Sequence, residues 1–473
     1  MKPSSNYSYK TKSHRGAKSL LLMSSFLCSG LGAGVAVAQE ATGAEEMDTV
    51  IVTSTRRAQN ILDVPYNINV VTSEDIRNGK TADTAELLRS IPGAAVVDRG
   101  ARNAAALNGI RIRGLNVDSG SLGDYAVASV ATVSTYVNDT PVFANLLLED
   151  LSQVEVLRGP QATLYGSGTL GGTVRYLVSS PTLDEFSASA GLTVSGADGS
   201  DSIGYKASST VNIPLSEQFA VRATVAHHDF PGIVDLRSVF VLDEGGVPVA
   251  PDGVAASTRV EERVEDADTV DIWYFRAGAL WKPNDLFSAE FNYFRQEDDI
   301  GGRRQTAEGA DGYGVPYGRY ESGSPQREPS EREIDLFSLE MDIDLGFATL
   351  SSSSSYYDQT GLAISDNTGF YANFGFLGGI YANPRPLSTA SRSFQDEAFV
   401  QEIRLVSNGE NTIDYVLGAY YLDETRTRSQ DSFYRGFKAY VDETQPTSLS
   451  ELVRNDQDFL YRYKDSFVDR AIF

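Results

Sequence analysis

Residues 154–178 read VEVLRGPQATLYGSGTLGGTVRYLV. The stretch divides the chain in two: the sequence before it reads as a compact mixed domain, and the sequence after it as alternating strands separated by long polar connections. It also contains Gly166-Ser167-Gly168-Thr169-Leu170-Gly171, which spells G-x-G-x-x-G. A dinucleotide fingerprint needs a helix opening on its glycines. Here the glycines run into Thr173-Val174-Arg175-Tyr176-Leu177-Val178, a β-branched, strand-like segment. The pattern therefore predicts a glycine-rich turn between two strands, and no nucleotide site.

The N-terminus reads as an export signal. Lys2, Lys10, Lys12, Arg15 and Lys18 precede the apolar stretch Leu20 to Leu31, and Ala36-Val37-Ala38 forms an A-x-A site with cleavage after Ala38. The only cysteine, Cys28, lies inside this signal. A mature chain without thiols fits passage through an oxidising compartment, and has no disulfide, thiolate metal site or cysteine nucleophile. Removing the five basic residues leaves 35 Lys and Arg against 64 Asp and Glu, a mature net charge of −29. Such a surface repels polyanions, which argues against a nucleic-acid partner. No run of 18 apolar residues follows the signal, so any membrane crossing must be made by strands.

Between the signal and Val178, several blocks occur in order: Ile110-Arg111-Ile112-Arg113-Gly114, Tyr136-Val137-Asn138-Asp139-Thr140-Pro141-Val142, Val154-Glu155-Val156-Leu157-Arg158-Gly159-Pro160, Leu164-Tyr165-Gly166 and Gly171-Gly172. Over about 130 residues these resemble the plug domain of TonB-dependent outer-membrane receptors, departing from the commoner wording at Ser167 to Leu170. The resemblance implies a mixed α/β plug domain followed by an antiparallel transmembrane β-barrel. It divides the chain into a signal peptide (1–38), a periplasmic segment (39–62), a plug (63–180) and part of a barrel (181–473). It also implies that Asp48, Thr49, Val50, Ile51, Val52 and Thr53 form the energy-coupling box gripped by TonB. Read alone, this β-prone strip can add to another protein's sheet edge or serve as the first strand of its own domain.

Local signals fill in the plug. Strands are expected at Ile68 to Val71, Ala95 to Asp98, Gly109 to Arg113, Ser134 to Val137 and Val154 to Arg158. One short helix starts at Ser73 or Asp75, and another is capped by Asp83 and stopped by Pro92-Gly93. Arg111, Arg113 and Arg158 face carboxylates such as Asp139, Glu149, Asp150 and Glu155, either as plug–barrel ion pairs or as pairs inside the plug core. Gly100 to Gly109 and Asp118 to Thr132 are the loops expected to face a ligand, with Arg99 and Arg102 as candidate contacts.

After Pro181 the period becomes two. Phe219, Val221, Ala223 and Val225 alternate with Arg222 and Thr224; Trp273, Phe275, Ala277 and Ala279 with Tyr274, Arg276 and Gly278; Phe287, Ala289, Phe291 and Tyr293 with Ser288, Glu290 and Asn292. Phe337, Leu339, Met341, Ile343 and Leu345 alternate with Ser338, Glu340, Asp342 and Asp344, and Ile413 to Tyr421 continues the pattern. A soluble sandwich also alternates, and a secreted β-repeat adhesin is the competing picture. The connections favour a barrel. Short links at 196–202, 214–218, 283–285, around Gly346 and at 408–410 intersperse with long ones at 231–267, 301–332, 360–394 and 426–458, the asymmetry of outer-membrane barrels. Tyr293, Phe294, Tyr356, Tyr357, Tyr420 and Tyr421 are candidates for an aromatic girdle.

About ten strands are expected, the last from Phe459 to Phe473, against about 22 in plugged outer-membrane transporters. The chain is therefore expected to be the N-terminal part of a longer protein, a small closed barrel being the alternative. An unclosed sheet would expose unpaired backbone to lipid at several kcal/mol per group.

His227 and His228 are adjacent, so a strand sends them to opposite faces, and with His14 in the signal no metal site built from histidines is expected. Arg303, Arg304, Tyr313, Tyr317, Arg319 and Tyr320 mix cations and aromatics in one long link, and are candidate contacts for a carboxylate or catecholate-like ligand. No nucleophile, base and orienting group converge, and neither an enzyme nor a cofactor is expected. The expected function is import of a scarce ligand, an iron–siderophore complex, by a receptor partnered with TonB and its inner-membrane energising complex. A carbohydrate, vitamin or aromatic cargo is the alternative, and a non-transporting binding protein is the reading from another class.

Overall fold

The computed structural model describes residues 50–472 apart from 58, 65, 79–83, 97–109, 116–131, 143–145, 148, 167, 255–259, 312–313, 370, 372–382, 409–412, 449 and 452–457. The signal segment, Asp48, Thr49, Asp83, Arg99, Arg102, Tyr313 and nearly all of both ligand-facing loops lie outside the described residues.

The first unit opens with a hairpin of β1 (Ile51–Val52) and β2 (Gln59–Asn60). β3 (Ile68–Thr72), α1 (Ser73–Asn78), α2 (Thr84–Arg89), β4 (Ala94–Val96) and β5 (Ile110–Ile112) follow. β6 (Val133–Val137), β7 (Thr140–Pro141), β8 (Leu151–Arg158), α3 (Ala162–Tyr165) and β9 (Gly172–Val178) complete it. Its main sheet has the order β3-β8-β9-β6-β7, with β6 and β9 parallel. The stretch 154–178 supplies two adjacent strands at its centre, and the glycine pattern is the turn between them. No helix follows Gly171, as the β-branched run predicts. The backbone approaches most closely at Gly172, with φ +155°, where a Cβ would stand 2.2 Å from the Leu157 carbonyl oxygen. Val154, Val156, Val174, Leu88 and Ile112 form a fully buried core around this sheet.

The second unit is one antiparallel sheet of ten strands in sequence order. Its members, interrupted by three loop strands, are β10 (Ser187–Gly196), β11 (Ile203–Ser216), β12 (Phe219–Phe230), then β13 (Asp235–Phe240) and β14 (Glu261–Val264) outside the wall. The wall resumes with β15 (Val270–Asn284) and β16 (Phe287–Ile300), and after the loop strand β17 (Glu321–Ser322) with β18 (Ser330–Asp344) and β19 (Ala348–Asp366). β20 (Ser388–Ser407), β21 (Val416–Tyr434), a helix α4 (Phe437–Thr444) and β22 (Phe459–Ile472) end it. β10 and β22 are its edges, so the sheet is open. No described helix is long and apolar enough to cross a membrane.

The expected phase holds. Phe337, Ile343, Phe291, Phe275, Val225 and Phe399 lie on the exposed outer face, while Leu336, Ser338, Phe294, Tyr274 and Thr224 are buried on the inner one. The register lines Tyr293 up with Phe337, Phe337 with Tyr356, and Tyr356 with Phe399. Tyr293 and Phe337 stack at 4.7 Å, and Phe275 and Tyr421 continue the row at its two ends. On β16 the outer apolar run from Phe287 to Tyr293 covers about 20 Å at the strand rise, close to the height of a hydrocarbon band.

Three expectations change. Of the girdle candidates only Tyr293, Tyr356 and Tyr421 belong to the outer row. Phe294 and Tyr357 are their strand neighbours and point inward, 1% and 2% exposed. The inner face is also less wet than alternation alone suggests, because Tyr274, Phe294, Ile334, Leu336 and Tyr357 join the core of the first unit. Finally, β19, β20 and β21 run beyond the expected strand ends at 360, 394 and 426. Past the aromatic row Ser, Thr, Gln and Arg occupy inner as well as outer positions, as at Gln359, Ser365, Ser388, Arg392 and Gln430, so hydropathy alternation fades although backbone pairing continues.

Candidate coupling strip and plug–wall contacts

The strip at 50–53 has a partner that sequence reading did not anticipate. Ile51 and Val52 pair with Asn60 and Gln59, and Val52 is fully buried whereas Ile51 is 47% exposed. The Thr53 N–H donates to Glu155 Oε1 at 2.8 Å, Gln153 Nε2 donates to the Ile51 carbonyl at 3.1 Å, and Tyr165 OH donates to the Ser54 carbonyl at 2.7 Å. Arg175 binds both Thr53 Oγ1, at 2.8 Å, and Glu155 Oε2, at 2.7 Å. The strip is thus a short hairpin laid on β8 and held by a few polar contacts.

Immediately beyond it, Arg56 and Arg57 tie the hairpin to the wall. Arg56 pairs with Asp139 and, at 3.3 Å, with Glu402, its guanidinium 4.7 Å from the centre of the Tyr165 ring. Arg57 donates to Ser407 Oγ and the Tyr415 carbonyl, both at 2.9 Å, and lies 3.3 Å from Asp414. Ser407 and Tyr415 flank a short connection, which places the strip at the end of the wall where the links are short, the periplasmic end by the barrel rule.

Two turns carry the other contacts. Asn138 and Asp139 are the two central residues of the β6–β7 hairpin, with Asn138 at φ +50°. That turn offers the Asp139 carboxylate to Arg404, at 2.5 Å, and to Arg175, at 3.2 Å, besides Arg56. Burial raises the Asp139 pKa, but the guanidinium groups of Arg56, Arg404 and Arg175 outweigh it and hold the carboxyl well below its ordinary 3.8. A depressed carboxyl contributes stability that is present above its unfolded-state pKa and lost as pH falls through its folded one. Acidification below pH 3.8 is therefore expected to loosen the plug, and Asp139→Asn to remove that part of the pH dependence, as read by protease sensitivity of the hairpin against pH.

The second turn presents Glu149 and Asp150. Asp150, at φ +56°, receives Arg222 Nε at 2.8 Å, Arg276 Nη1 at 2.8 Å and Thr224 Oγ1 at 2.9 Å. Glu149 lies 3.1 Å from His228 Nε2, and the Leu147 N–H donates to Gln296 Oε1 at 2.9 Å. The expected polarity is thus reversed in part. Asp139 and Asp150 do meet opposite charges and Glu149 meets the His228 imidazole, but the arginines belong to the wall, to the segment at 56–57 and, for Arg175, to β9. Arg158 binds Asn67 and the Pro92 carbonyl within the plug, and neither Arg111, Arg113 nor Arg158 makes an ion pair among the described residues. Arg113 instead packs beside Gly159, within 3.0 Å of where its Cβ would stand.

At the opposite end, β14, β13 and β17 form a small sheet in the long connections. Arg237 pairs with Glu321 and Asp311, and Arg263 with Asp235 and Glu321. The Gly318 N–H, together with both arginines, lowers the Glu321 carboxyl to about 2. The described candidate ligand residues, Arg303, Arg304, Tyr317, Arg319 and Tyr320, lie in these long connections. Arg303 binds Glu328 at 2.9 Å, Arg304 binds Asp268 at 2.8 Å, and Arg319 and Tyr320 meet Asp198 at 3.0 and 2.8 Å. The Tyr317 ring lies 4.8 Å from the Arg237 guanidinium. In this arrangement they brace one connection against another.

Comparison with known proteins places this geometry. A family model described as TonB-dependent Receptor Plug Domain matches residues 60–173. A hemin receptor of Yersinia enterocolitica is 29% identical over 131 residues, 27% of this chain and 18% of the relative. A vitamin B12 transporter of Photobacterium profundum is 30% identical over 139 residues, 28% of this chain and 20% of the relative. The ferrichrome outer membrane transporter/phage receptor of Escherichia coli K12 is 30% identical over 180 residues, 37% and 22%. The chain thus spans about a fifth of the length of these relatives, whose names denote receptors and transporters. Among solved structures, the ferric yersiniabactin uptake receptor of Yersinia pestis superposes with a TM-score of 0.57 at 14% identity, over 86% of this chain and 61% of that one. The ferripyoverdine receptor of Pseudomonas aeruginosa gives 0.58 at 12%, over 90% and 51%. These two likenesses concern the fold.

Proposed function

We propose that this chain, whose plug and wall are those of a TonB-dependent outer-membrane receptor, belongs to an active importer of an iron–siderophore complex. Residues 1–38 are read as the export signal, 39–62 as the periplasmic segment, 63–180 as the plug and 181–473 as wall. The observation that carries the reading is the position of the hairpin at 51–60, at the short-link end of the wall and held by a handful of side chains. In this account ligand at the outer face loosens those contacts, TonB pairs with the strip 48–53, and pulling through Arg56 and Arg57 breaks the plug from the wall. Main-chain pairing supplies the grip. No catalytic role is assigned.

Deleting residues 48–53 is expected to abolish uptake of the labelled cargo while leaving surface binding intact, and normal uptake by the deletion would refute the mechanism. Hemin, vitamin B12 and ferrichrome are named for relatives that match over only 131, 139 and 180 residues, so a vitamin cargo is kept as a second reading. Growth-linked uptake with iron withheld or supplied separates the two. A non-transporting binding protein would give no crosslink between Val50 and TonB.

A further inference from the structure

The outer face of the wall carries a cluster that neither the plug nor the import route uses. His227, Asp229 and Asp271 sit just beyond the aromatic row, on adjacent strands β12 and β15, and their ligand atoms lie within 4.8 Å of one another. Sequence reading counted histidines and expected no metal. It is the register that brings one imidazole to two carboxylates.

Three features set this cluster apart from an ordinary solvated face. First, the imidazole is oriented: its Nδ1 is 2.9 Å from Tyr205 OH, and its ring stacks on Trp273 at 4.0 Å and 14°. That fixes Nε2 toward Asp271, 3.0 Å away, as an anchored second nitrogen does for a metal-bound histidine. Second, Asp229 stands directly opposite Asp271, Asp271 opposite Asp299, and Asp299 opposite Glu331. Like charges directly opposite in a sheet are destabilising, and this row sets four carboxylates side by side. Third, among the described residues neither Asp229 nor Asp271 has a lysine or arginine partner; Asp271 meets only His227.

We propose that His227, Asp229 and Asp271 bind one borderline divalent cation, of the Zn2+ class, on the outer rim of the wall. One imidazole with two carboxylates suits such an ion, whereas Ca2+ and Mg2+ favour all-oxygen shells. Bonds of about 2.1 Å set ligand atoms about 3.4 Å apart around a tetrahedral ion, a distance that rotation of the 44% exposed Asp271 side chain reaches. Water completes the shell. The ion neutralises one end of the acidic row and staples β12 to β15 where the wall leaves the membrane.

The chain has two tryptophans, so a Trp281→Phe background reports on Trp273 alone. Titrating the detergent-solubilised full chain with ZnCl2 is expected to give a saturable change in Trp273 emission, with one Zn2+ bound per chain by equilibrium dialysis. His227→Gln and the isosteric Asp271→Asn are expected to weaken binding at least about tenfold. Glu397→Gln, an outer-face carboxylate bonded to Tyr356, is expected to bind as the parent does. Matching circular dichroism before metal is added checks that each variant is folded. Absence of stoichiometric Zn2+ binding, unchanged affinity in His227→Gln, equal weakening by Glu397→Gln, or binding of Ca2+ in place of Zn2+ would each overturn the proposal.

Discussion

Replacing Asp150 by asparagine is expected to destabilise the plug within the wall by about 3–5 kcal/mol, the usual cost of removing one partner from a buried ion pair. Arg276 is 1% exposed and Arg222 18%, and both converge on the Asp150 carboxylate, itself 4% exposed. Asparagine keeps the volume and tolerates the left-handed φ of this turn, so the variant removes charge without forcing the backbone. Two guanidinium groups then remain with little but Glu290, 3.8 Å from Arg276, and Asn292 to answer them. The urea midpoint for protease attack on the plug is the measurement. A shift equivalent to less than about 1 kcal/mol, the value of an exposed pair, would show that these groups are solvated and that the two units are not locked here.

An alanine at Gly172 is expected to be more damaging still, costing more than about 4 kcal/mol, which is diagnostic of a specific clash. Gly172 lies between β8 and β6, paired to Arg158 on one side and to Val133 on the other. Its φ of +155° and the 2.2 Å approach of the Leu157 carbonyl oxygen leave no room for a methyl group. The Ile112 side chain, 2.9 Å away, could shift, but the Leu157 carbonyl is backbone in a central sheet and cannot swing away. The variant should give little protease-resistant plug after export, while Gly166→Ala, with open space around its Cβ position, should lose less and fail only through its own φ of +67°. Equal yields of resistant plug for parent and Gly172→Ala would contradict this packing.

The wall was legible because period two is a direct image of two solvents. Phe337, Leu339 and Met341 alternate with Ser338, Glu340 and Asp342, and the register confirms one phase across β16, β18 and β19. Where polar residues occupy the buried face as well, as with Gln359 and Ser365, the image fades although the pairing persists. The inner aromatic residues were misread for a related reason. Phe294 and Tyr357 follow outward tyrosines directly, and composition alone does not say which member of the pair faces lipid.

The plug–wall contacts were half legible. Asp139, Glu149 and Asp150 were expected to answer arginines. Their partners Arg404, Arg222, Arg276 and His228 are distant in the chain, Arg404 by 265 positions from Asp139, and no local pattern links them. Arg56 and Arg57 follow the coupling strip directly, and a pair of arginines beside a strand expected to be pulled was the available signal. The β1–β2 pairing escaped notice because two-residue strands fall below any periodicity.

The account rests on which side of the wall meets hydrocarbon. In a Cys28→Ser background, single cysteines at positions 337–343 can be spin-labelled, and their collision rates measured with oxygen and with a water-soluble nickel chelate in the membrane. The account predicts high oxygen and low nickel contact at 337, 339, 341 and 343, alternating with labels at 338, 340 and 342 that are shielded from lipid. The opposite phase, with 338 and 340 in contact with oxygen and 337 and 339 sheltered beside the plug, would contradict it.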